Sequence, residues 1–172
     1  MAEIIRVYKE SVPVMRFIGK RYTNADRRDG GYGYLWGEWF ANGWFETLEA
    51  LPMPEGGDGS YLGFMRCKAT DFDNSFEYWI GMFCEEGTEP PEGYDYVDTP
   101  AGEIAVGWIQ GPDDGTLYAM EAACDKRFAS EGISSRWSDS DGYFYFFERY
   151  NCPRFTTPDE QNRVILDYCT YI

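Results

Sequence analysis

An internal repeat constrains the fold of this 172-residue chain more than any other feature of its sequence. Two segments with helical periodicity begin at Leu35 and Leu117, and two segments with strand character begin at Tyr61 and Tyr143. The members of both pairs are 82 residues apart, and both strands follow an Asp-Gly turn. Duplicated units bury their apolar faces against each other. The sequence therefore predicts an α+β fold, in which duplicated strand-helix-strand-strand units form one antiparallel sheet with two helices on one face.

The apolar pattern also predicts where the elements of each unit lie. Short apolar runs between turn residues indicate strands, over residues 12–22, 61–69, 76–84, 103–110, 143–150 and 163–172. Apolar residues that recur every three or four positions indicate helices, over residues 34–51 and 117–130. Residues 85–100 are acidic and contain three prolines, so we interpret them as a linker. The result is a single domain over residues 1–172, with pseudo-repeats at about 3–85 and 101–172.

Each predicted helix carries a face that we expect to be buried. In the first helix, Trp39 is on the same side as four residues that recur every fourth position, which are Trp36, Phe40, Trp44 and Leu48. Gly43 weakens this helix by about 1 kcal/mol relative to Ala, and the helix is nevertheless predicted to be continuous. In the second helix, the corresponding residues are Leu117, Met120, Cys124 and Phe128.

The charge balance excludes several classes of function. The chain has 30 Asp and Glu residues, 15 Lys and Arg residues and no His, which gives a net charge of −15. Binding to phosphate backbones or anionic membranes requires basic patches, so we expect neither nucleic acid nor a membrane as a partner. The absence of His excludes Ser-His and Cys-His dyads and His-dependent metal sites. We expect no metal and no cofactor, and any catalysis has to use carboxylates, thiols, Tyr or Lys.

The five cysteines indicate a reducing compartment. No two of them are closer than 17 residues and their number is odd, which argues against a zinc ribbon and against a disulfide framework. The polar start MAEIIRVYKE does not have the pattern of a signal peptide. No apolar stretch approaches the roughly 20 residues that a membrane-spanning helix needs. We therefore expect buried free thiols and a cytoplasmic location.

Residues 143–150 (YFYFFERY) contain the strongest candidate for a functional residue. Because side chains alternate between the two faces of a strand, Glu148 shares a face with Phe144, Phe146 and Tyr150. Burial of an unpaired carboxylate costs roughly several kcal/mol or forces the group to be neutral. A bound cation would gain the charge pairing and contacts with ring faces, each about 0.5–2 kcal/mol. Two interpretations remain open: Glu148 is the counter-charge in a pocket for a lipophilic cation, or it pairs with an Arg or Lys at a sheet edge.

Three segments accompany the duplicated plan: the opening VPVMRFIGKRY, the aromatic helix that begins at Leu35-Trp36, and the closing strand pair with Phe147-Glu148-Arg149-Tyr150. Together they resemble the GyrI-like small-molecule-binding domains, which are also the effector-binding domains of AraC-type and MerR-type transcription regulators. In drug-binding members of that family, a buried glutamate on this strand pairs with cationic lipophilic drugs in an aromatic pocket. The resemblance maps this role onto Glu148. By predicted position, the pocket wall would include Trp39, Trp79, Trp108, Phe146 and Tyr150.

The resemblance implies a stand-alone protein that binds a hydrophobic, cationic small molecule, because the chain begins directly at the first strand without a helix-turn-helix. Two alternatives stay open. Some relatives hydrolyse reactive cyclopropane-containing toxins, and Glu148 would be the catalytic residue of such a hydrolase. The family also includes a gyrase-inhibiting protein, so an acidic contact with gyrase or with a regulator is the other alternative.

Overall fold

The computed structural model describes residues 1–133 and 136–172, which contain eight strands and five helices. The strands are β1 (Glu3–Val12), β2 (Met15–Tyr22), β3 (Tyr61–Lys68), β4 (Glu77–Glu85), β5 (Asp95–Thr99), β6 (Gly102–Gly111), β7 (Tyr143–Tyr150) and β8 (Val164–Tyr171). The helices are α1 (Gly33–Ala41), α2 (Trp44–Glu49), α3 (Phe72–Ser75), α4 (Gly115–Tyr118) and α5 (Glu121–Ser130).

The eight strands form one antiparallel sheet in the order β1-β6-β8-β7-β3-β4-β2-β5. The central strands β3 and β7 pair along their whole length, from Tyr61 opposite Tyr150 to Lys68 opposite Tyr143. The predicted α+β class with one antiparallel sheet is therefore confirmed. The division of the chain into two pseudo-repeats stays a prediction.

The two outer strands of the sheet each pair with a strand that is distant in sequence. β1 pairs with β6, so that Val12 lies opposite Gly102, and β5 pairs with β2, so that Met15 lies opposite Thr99. The predicted opening strand over 12–22 is wrong at its start, because Pro13, which has no N–H to donate, separates β1 from β2. The segment 85–100, interpreted as a linker, contains β5.

Both predicted helices are interrupted. Gly43 has a left-handed conformation with φ of 66°, which ends the first helical segment and begins α2. Of the residues predicted to be buried in that segment, Trp39 and Leu48 are at most 1% exposed, whereas Phe40 is 61% exposed. The second segment is divided into α4 and α5. Of its predicted buried residues, three are at most 2% exposed, which are Leu117, Cys124 and Phe128.

The sheet has an apolar core on each face. On one face, side chains from α1, α2, α4 and α5 pack against the strands, and the strand residues in this core include Ile18, Ile80 and Phe146. On the other face, the buried side chains all come from strands; they include Phe17, Phe64 and Phe147. The helices α1, α2, α4 and α5, which contribute to the first core, lie on one face of the sheet, as predicted. Among the described residues, every helix is too short or too polar to span a membrane.

The second face also contains a buried ionic cluster. Asp167 on β8 has no exposed surface and accepts hydrogen bonds from Arg149 Nε at 2.9 Å and from an Arg154 guanidinium nitrogen at 2.6 Å. Arg149 also pairs with Glu10 on β1 at 2.9 Å. Buried charges of this kind are stable only when they are paired. The cluster therefore joins β1 to β7 and β8 through side chains, although the backbone of β1 pairs with β6.

Candidate functional site

A cavity of about 650 Å³ opens between α1, α4 and the central strands of the sheet. Eight of its 13 lining residues are aromatic, namely Tyr32, Trp36, Phe40, Tyr61, Tyr78, Tyr118, Tyr150 and Phe155. The others are Gly31, Gly33, Asp113, Glu148 and Thr156. The volume lies in the range of about 300–1,000 Å³ that is usual for small-molecule sites. The aromatic lining suits a flat or bulky apolar ligand.

Glu148 is the buried carboxylate of this cavity. Its backbone pairs with Gly63 on β3 and Tyr168 on β8, so it lies in the interior of the sheet, and the residue is 7% exposed. The Tyr150 hydroxyl donates a hydrogen bond to Glu148 Oε2 at 2.7 Å. None of the ion pairs within residues 1–133 and 136–172 includes Glu148. The alternative of an ion pair with Arg or Lys at a sheet edge is therefore wrong.

Burial changes the protonation of Glu148 and of a second acid nearby. It raises the pKa of Glu148 to about 7, and the hydrogen bond from Tyr150 opposes this rise. Burial, together with the charges of Glu148 and Asp125, raises the pKa of Glu121 on α5 to about 8. Two interacting carboxyl groups titrate as a pair. At neutral pH this region therefore holds protons that a bound cation would displace.

Gly63 provides the space for the polar end of the cavity. A Cβ atom at this position would lie 2.8 Å from Tyr78 Oη and 3.2 Å from Glu148 Oε2. Tyr78 is held in place by two contacts: Trp36 Nε1 donates a hydrogen bond to Tyr78 Oη at 2.9 Å, and the ring stacks on that of Tyr32 with centroids 4.0 Å apart. Trp36 of α1 and Tyr32, which directly precedes α1, thus position a tyrosine hydroxyl near the buried carboxylate.

The mouth of the cavity is formed by more exposed residues. Phe40 on α1 is 61% exposed. Tyr118 on α4 donates a hydrogen bond to Asp113 Oδ1 at 2.7 Å. Phe155 packs edge-on against Tyr150, with centroids 4.8 Å apart. The opening is therefore ringed by aromatic side chains and has one exposed carboxylate.

The structure brings two of the six predicted site residues, Glu148 and Tyr150, into contact with the cavity. Phe146 is on the predicted face of β7, but it is 5% exposed, stacks on Phe144 and does not line the cavity. Trp39 does not line it either, because it points from α1 into the core, where its Nε1 donates a hydrogen bond to Tyr22 Oη at 3.0 Å.

Two more predicted residues lie on the opposite face of the sheet. Trp79 follows Tyr78 on β4, so the alternation of side chains directs it away from the cavity, and its Nε1 donates a hydrogen bond to Glu77 Oε2 at 3.1 Å. Trp108 packs against the second core, with the Arg154 guanidinium 4.5 Å from its ring centroid. The placement of both in the pocket wall is corrected.

Sequence reasoning missed most of the aromatic wall. The helical pattern assigns Trp36 to the buried helix face, and the strand pattern of β4 leaves Tyr78 equally suited to a core and to a pocket wall. The loop residues Phe155 and Thr156 had no pattern that would place them near β7. Gly63 had a usable signal: it is a glycine within a strand, which indicates close approach of another group.

The other face of the sheet has a smaller cavity of about 320 Å³ beside the glycine-rich loop 55–60. Its two arginines, Arg149 and Arg154, are both engaged by carboxylates of the described chain. In the described part of the chain, no group of three or more Cys, Asp and Glu side chains is arranged to hold a metal ion. The aromatic cavity therefore remains the best candidate for a ligand site.

A model of the GyrI-like small molecule binding domain matches residues 6–164, which is nearly the whole chain. The chain belongs to this family. The resemblance inferred from the duplicated plan and from the closing strands is thereby confirmed. A search of curated proteins found no match.

Solved structures share this GyrI-like fold at low sequence identity. A Staphylococcus aureus MU50 protein named as a bacterial transcription regulation protein is 14% identical with a TM-score of 0.64, and the match covers 96% of each chain. SAV2435 bound to tetraphenylphosphonium is 11% identical with a TM-score of 0.63, over 96% of this chain and 93% of that one. An integron cassette protein from Vibrio cholerae is 12% identical with a TM-score of 0.51, over 99% and 97%.

Proposed function

We propose that the aromatic cavity binds a hydrophobic, cationic small molecule, with Glu148 as its counter-charge. The observation that carries this proposal is a 7%-exposed carboxylate that lines a ring-lined cavity and forms no ion pair within the described residues. A lipophilic cation would supply the missing charge and contact the ring faces. The complex of SAV2435, which has a similar fold, with tetraphenylphosphonium supports this class of ligand.

The proposal makes ligand binding depend on pH. The pKa of Glu148 is about 7 without ligand, so about half of the molecules carry a proton there at neutral pH. A cation favours the ionised carboxylate and must displace that proton. We therefore expect affinity to fall by about tenfold for each pH unit below 7 and to level off above pH 8.

The test compares two probes of nearly the same shape, methyltriphenylphosphonium and the neutral triphenylphosphine oxide. Their affinities are measured by titration calorimetry at pH 8 for the wild type, for Glu148→Gln and for Glu38→Gln. Glu38 is exposed on α1 and undergoes the same change of charge. We expect Glu148→Gln to weaken binding of the phosphonium by about tenfold or more, to leave the oxide within about twofold, and Glu38→Gln to behave as the wild type.

The outcomes separate the cavity from the charge. If the phosphonium binds equally well to the wild type and to Glu148→Gln, the role of Glu148 is wrong. If neither tetraphenylphosphonium nor either matched probe binds to any form of the protein, the proposed ligand class is wrong.

A second candidate function is hydrolysis of an electrophilic, strained-ring compound. It is favoured by the pKa of Glu148 near 7, which is suited to a general acid or base. In this reaction, water would form a bond to the electrophilic carbon while a ring C–C bond of that carbon breaks. The released carbon would take the broken bond's electron pair and the proton of Glu148, and Glu148 would then recover a proton from the added water. Mass spectrometry after incubation with cyclopropane-containing electrophiles tests this candidate. Equal rates for the wild type and for Glu148→Gln would contradict it.

A further inference from the structure

We propose that Tyr78 selects, among cationic ligands, those that carry a hydrogen-bond acceptor next to the positive charge. This inference rests on the proposed function, because it concerns the ligand of the same cavity. It narrows the ligand class from lipophilic cations in general to protonated amines with a neighbouring hydroxyl, ether or carbonyl oxygen.

The argument begins with the hydrogen bonds of the Tyr78 hydroxyl. A tyrosine hydroxyl has one proton to donate and can also accept, whereas an indole N–H can only donate. Tyr78 Oη therefore accepts the hydrogen bond from Trp36 Nε1, and its own proton is not used in that contact. Within residues 1–133 and 136–172, no acceptor takes this proton by hydrogen-bond geometry, although Tyr78 is only 6% exposed and lines the cavity.

Glu148 has the complementary capacity. Its Oε2 accepts the hydrogen bond from Tyr150, while no donor of the described chain reaches its Oε1. Buried polar groups are almost always hydrogen-bonded, and those that are not point to a function or to an additional partner. The polar end of the cavity therefore presents one unused donor, Tyr78 Oη–H, and one unused acceptor, Glu148 Oε1.

These two groups are close enough to contact one ligand fragment. Tyr78 Oη and Glu148 Oε2 both lie about 3 Å from the point where a Cβ atom of Gly63 would be, so they are at most about 6 Å apart, and the unused Oε1 belongs to the same carboxylate. A protonated amine separated by two carbons from an oxygen fits this arrangement, because its N–H reaches the carboxylate while the oxygen accepts from Tyr78. A quaternary phosphonium has neither an N–H nor an acceptor and would leave both groups unpaired.

The chain contains a matched control for this role. Trp39 Nε1 donates a hydrogen bond to Tyr22 Oη at 3.0 Å, from the same helix that carries Trp36. Tyr22 on β2 lies directly opposite Tyr78 on β4, but it does not line the cavity. Replacing Tyr22 by Phe removes the same kind of Trp–Tyr hydrogen bond without removing a group that faces the ligand.

The experiment measures the affinities of propranolol, its deoxy analogue and its methyl ether at pH 8, where each amine is protonated. We expect the wild type to bind propranolol about fivefold more tightly than the deoxy analogue, which is the usual effect of one neutral hydrogen bond. In Tyr78→Phe this ratio should fall to about one, and in Tyr22→Phe it should stay near five. Tetraphenylphosphonium should bind Tyr22→Phe within about twofold of the wild type, which shows that loss of a Trp–Tyr hydrogen bond leaves the cavity intact.

The methyl ether tests the direction of the hydrogen bond in the wild type itself, since it can accept a proton but cannot donate one. It should bind nearly as well as propranolol. The inference is overturned if the methyl ether is as weak as the deoxy analogue, if the wild type does not distinguish the deoxy analogue, or if the ratio persists in Tyr78→Phe. If tetraphenylphosphonium and all three amines fail to bind the wild type, the proposed function fails as well.

Discussion

The free energy of unfolding of Glu148→Gln, relative to that of the wild type, is expected to be higher at pH 8 than at pH 5. The folded protein raises the pKa of Glu148 from 4.5 to about 7, so the folded state holds this proton more tightly than the unfolded state does. As the pH rises through this window, the unfolded chain ionises first, and the wild type loses stability. Gln does not titrate, so the variant does not incur this loss.

The magnitude follows from the size of the pKa change. One pKa unit corresponds to about 1.4 kcal/mol, so the rise from 4.5 to about 7 costs the wild type about 3 kcal/mol at pH 8. At pH 5 the same cost is below about 1 kcal/mol, because most of the window lies above that pH. Removal of the Glu148 charge also lowers the pKa of Glu121, which acts in the same direction.

The assay is urea unfolding at pH 5, 6, 7 and 8, monitored by tryptophan fluorescence, for the wild type, Glu148→Gln and the exposed control Glu38→Gln. The measured quantity is how the difference in unfolding free energy between variant and wild type changes with pH. We expect it to change by about 2–3 kcal/mol in favour of Glu148→Gln and by less than about 0.5 kcal/mol for Glu38→Gln. A difference for Glu148→Gln that is constant with pH would refute the reasoning, since a constant offset reports only the packing of the new amide.

Three further predictions concern packing, charge and thiols. Gly63→Ala should close the polar end of the cavity and destabilise the fold by about 1–3 kcal/mol, whereas Gly37→Ala on α1, with nothing within 4 Å of its Cβ position, should stabilise it by up to about 1 kcal/mol. Urea unfolding measures both effects, and equal effects of the two variants would contradict the close contacts at Gly63. Asp167→Ala leaves two arginines without their buried partner and should lower the free energy of unfolding by about 3–5 kcal/mol, whereas Asp98→Ala at an exposed position should lower it by at most about 1 kcal/mol. Similar losses for the two variants in urea unfolding would show that the cluster is not buried. Ellman's reagent should modify one thiol of the folded protein, the exposed Cys152, and all five after unfolding, because the other four are buried and have raised pKa values; rapid reaction of several thiols in the folded state would count against this core.

Strand alternation was the part of the site that could be predicted from the sequence. It placed Glu148 and Tyr150 on one face of β7, and both line the cavity. The predicted positions of the tryptophans were wrong because an aromatic ring is equally suited to a core and to a pocket wall. Only the exact phase of a strand or helix determines on which side the ring lies. On β4 the cavity is lined by Tyr78 rather than Trp79, and on α1 it is lined by Trp36 rather than Trp39.

The outer strands of the sheet were harder to predict for a different reason. β1 is an edge strand with exposed charged residues, and its sequence EIIRVYKESV lacks the continuous apolar run that marks a central strand. β5 has only five residues within a long acidic segment. Short or charged edge strands protect a sheet against further pairing. Because such strands lack an apolar run, an apolar pattern does not identify them.

The pairing of β1 with β6 determines the order in which the polypeptide can become complete. Glu3 pairs with Gln110 on β6, which follows β2, β3, β4 and β5 in the chain, so β1 waits during synthesis until these strands have been made. Closing such long loops before any contact is gained lowers folding rates, as it does in other sheet proteins of high contact order. An N-terminal fragment ending at residue 90 would lack β5, β6 and β7, which are the partners of β2, β1 and β3. These three unpaired strands would then meet neighbouring chains, so the fragment should aggregate unless the C-terminal half is supplied with it.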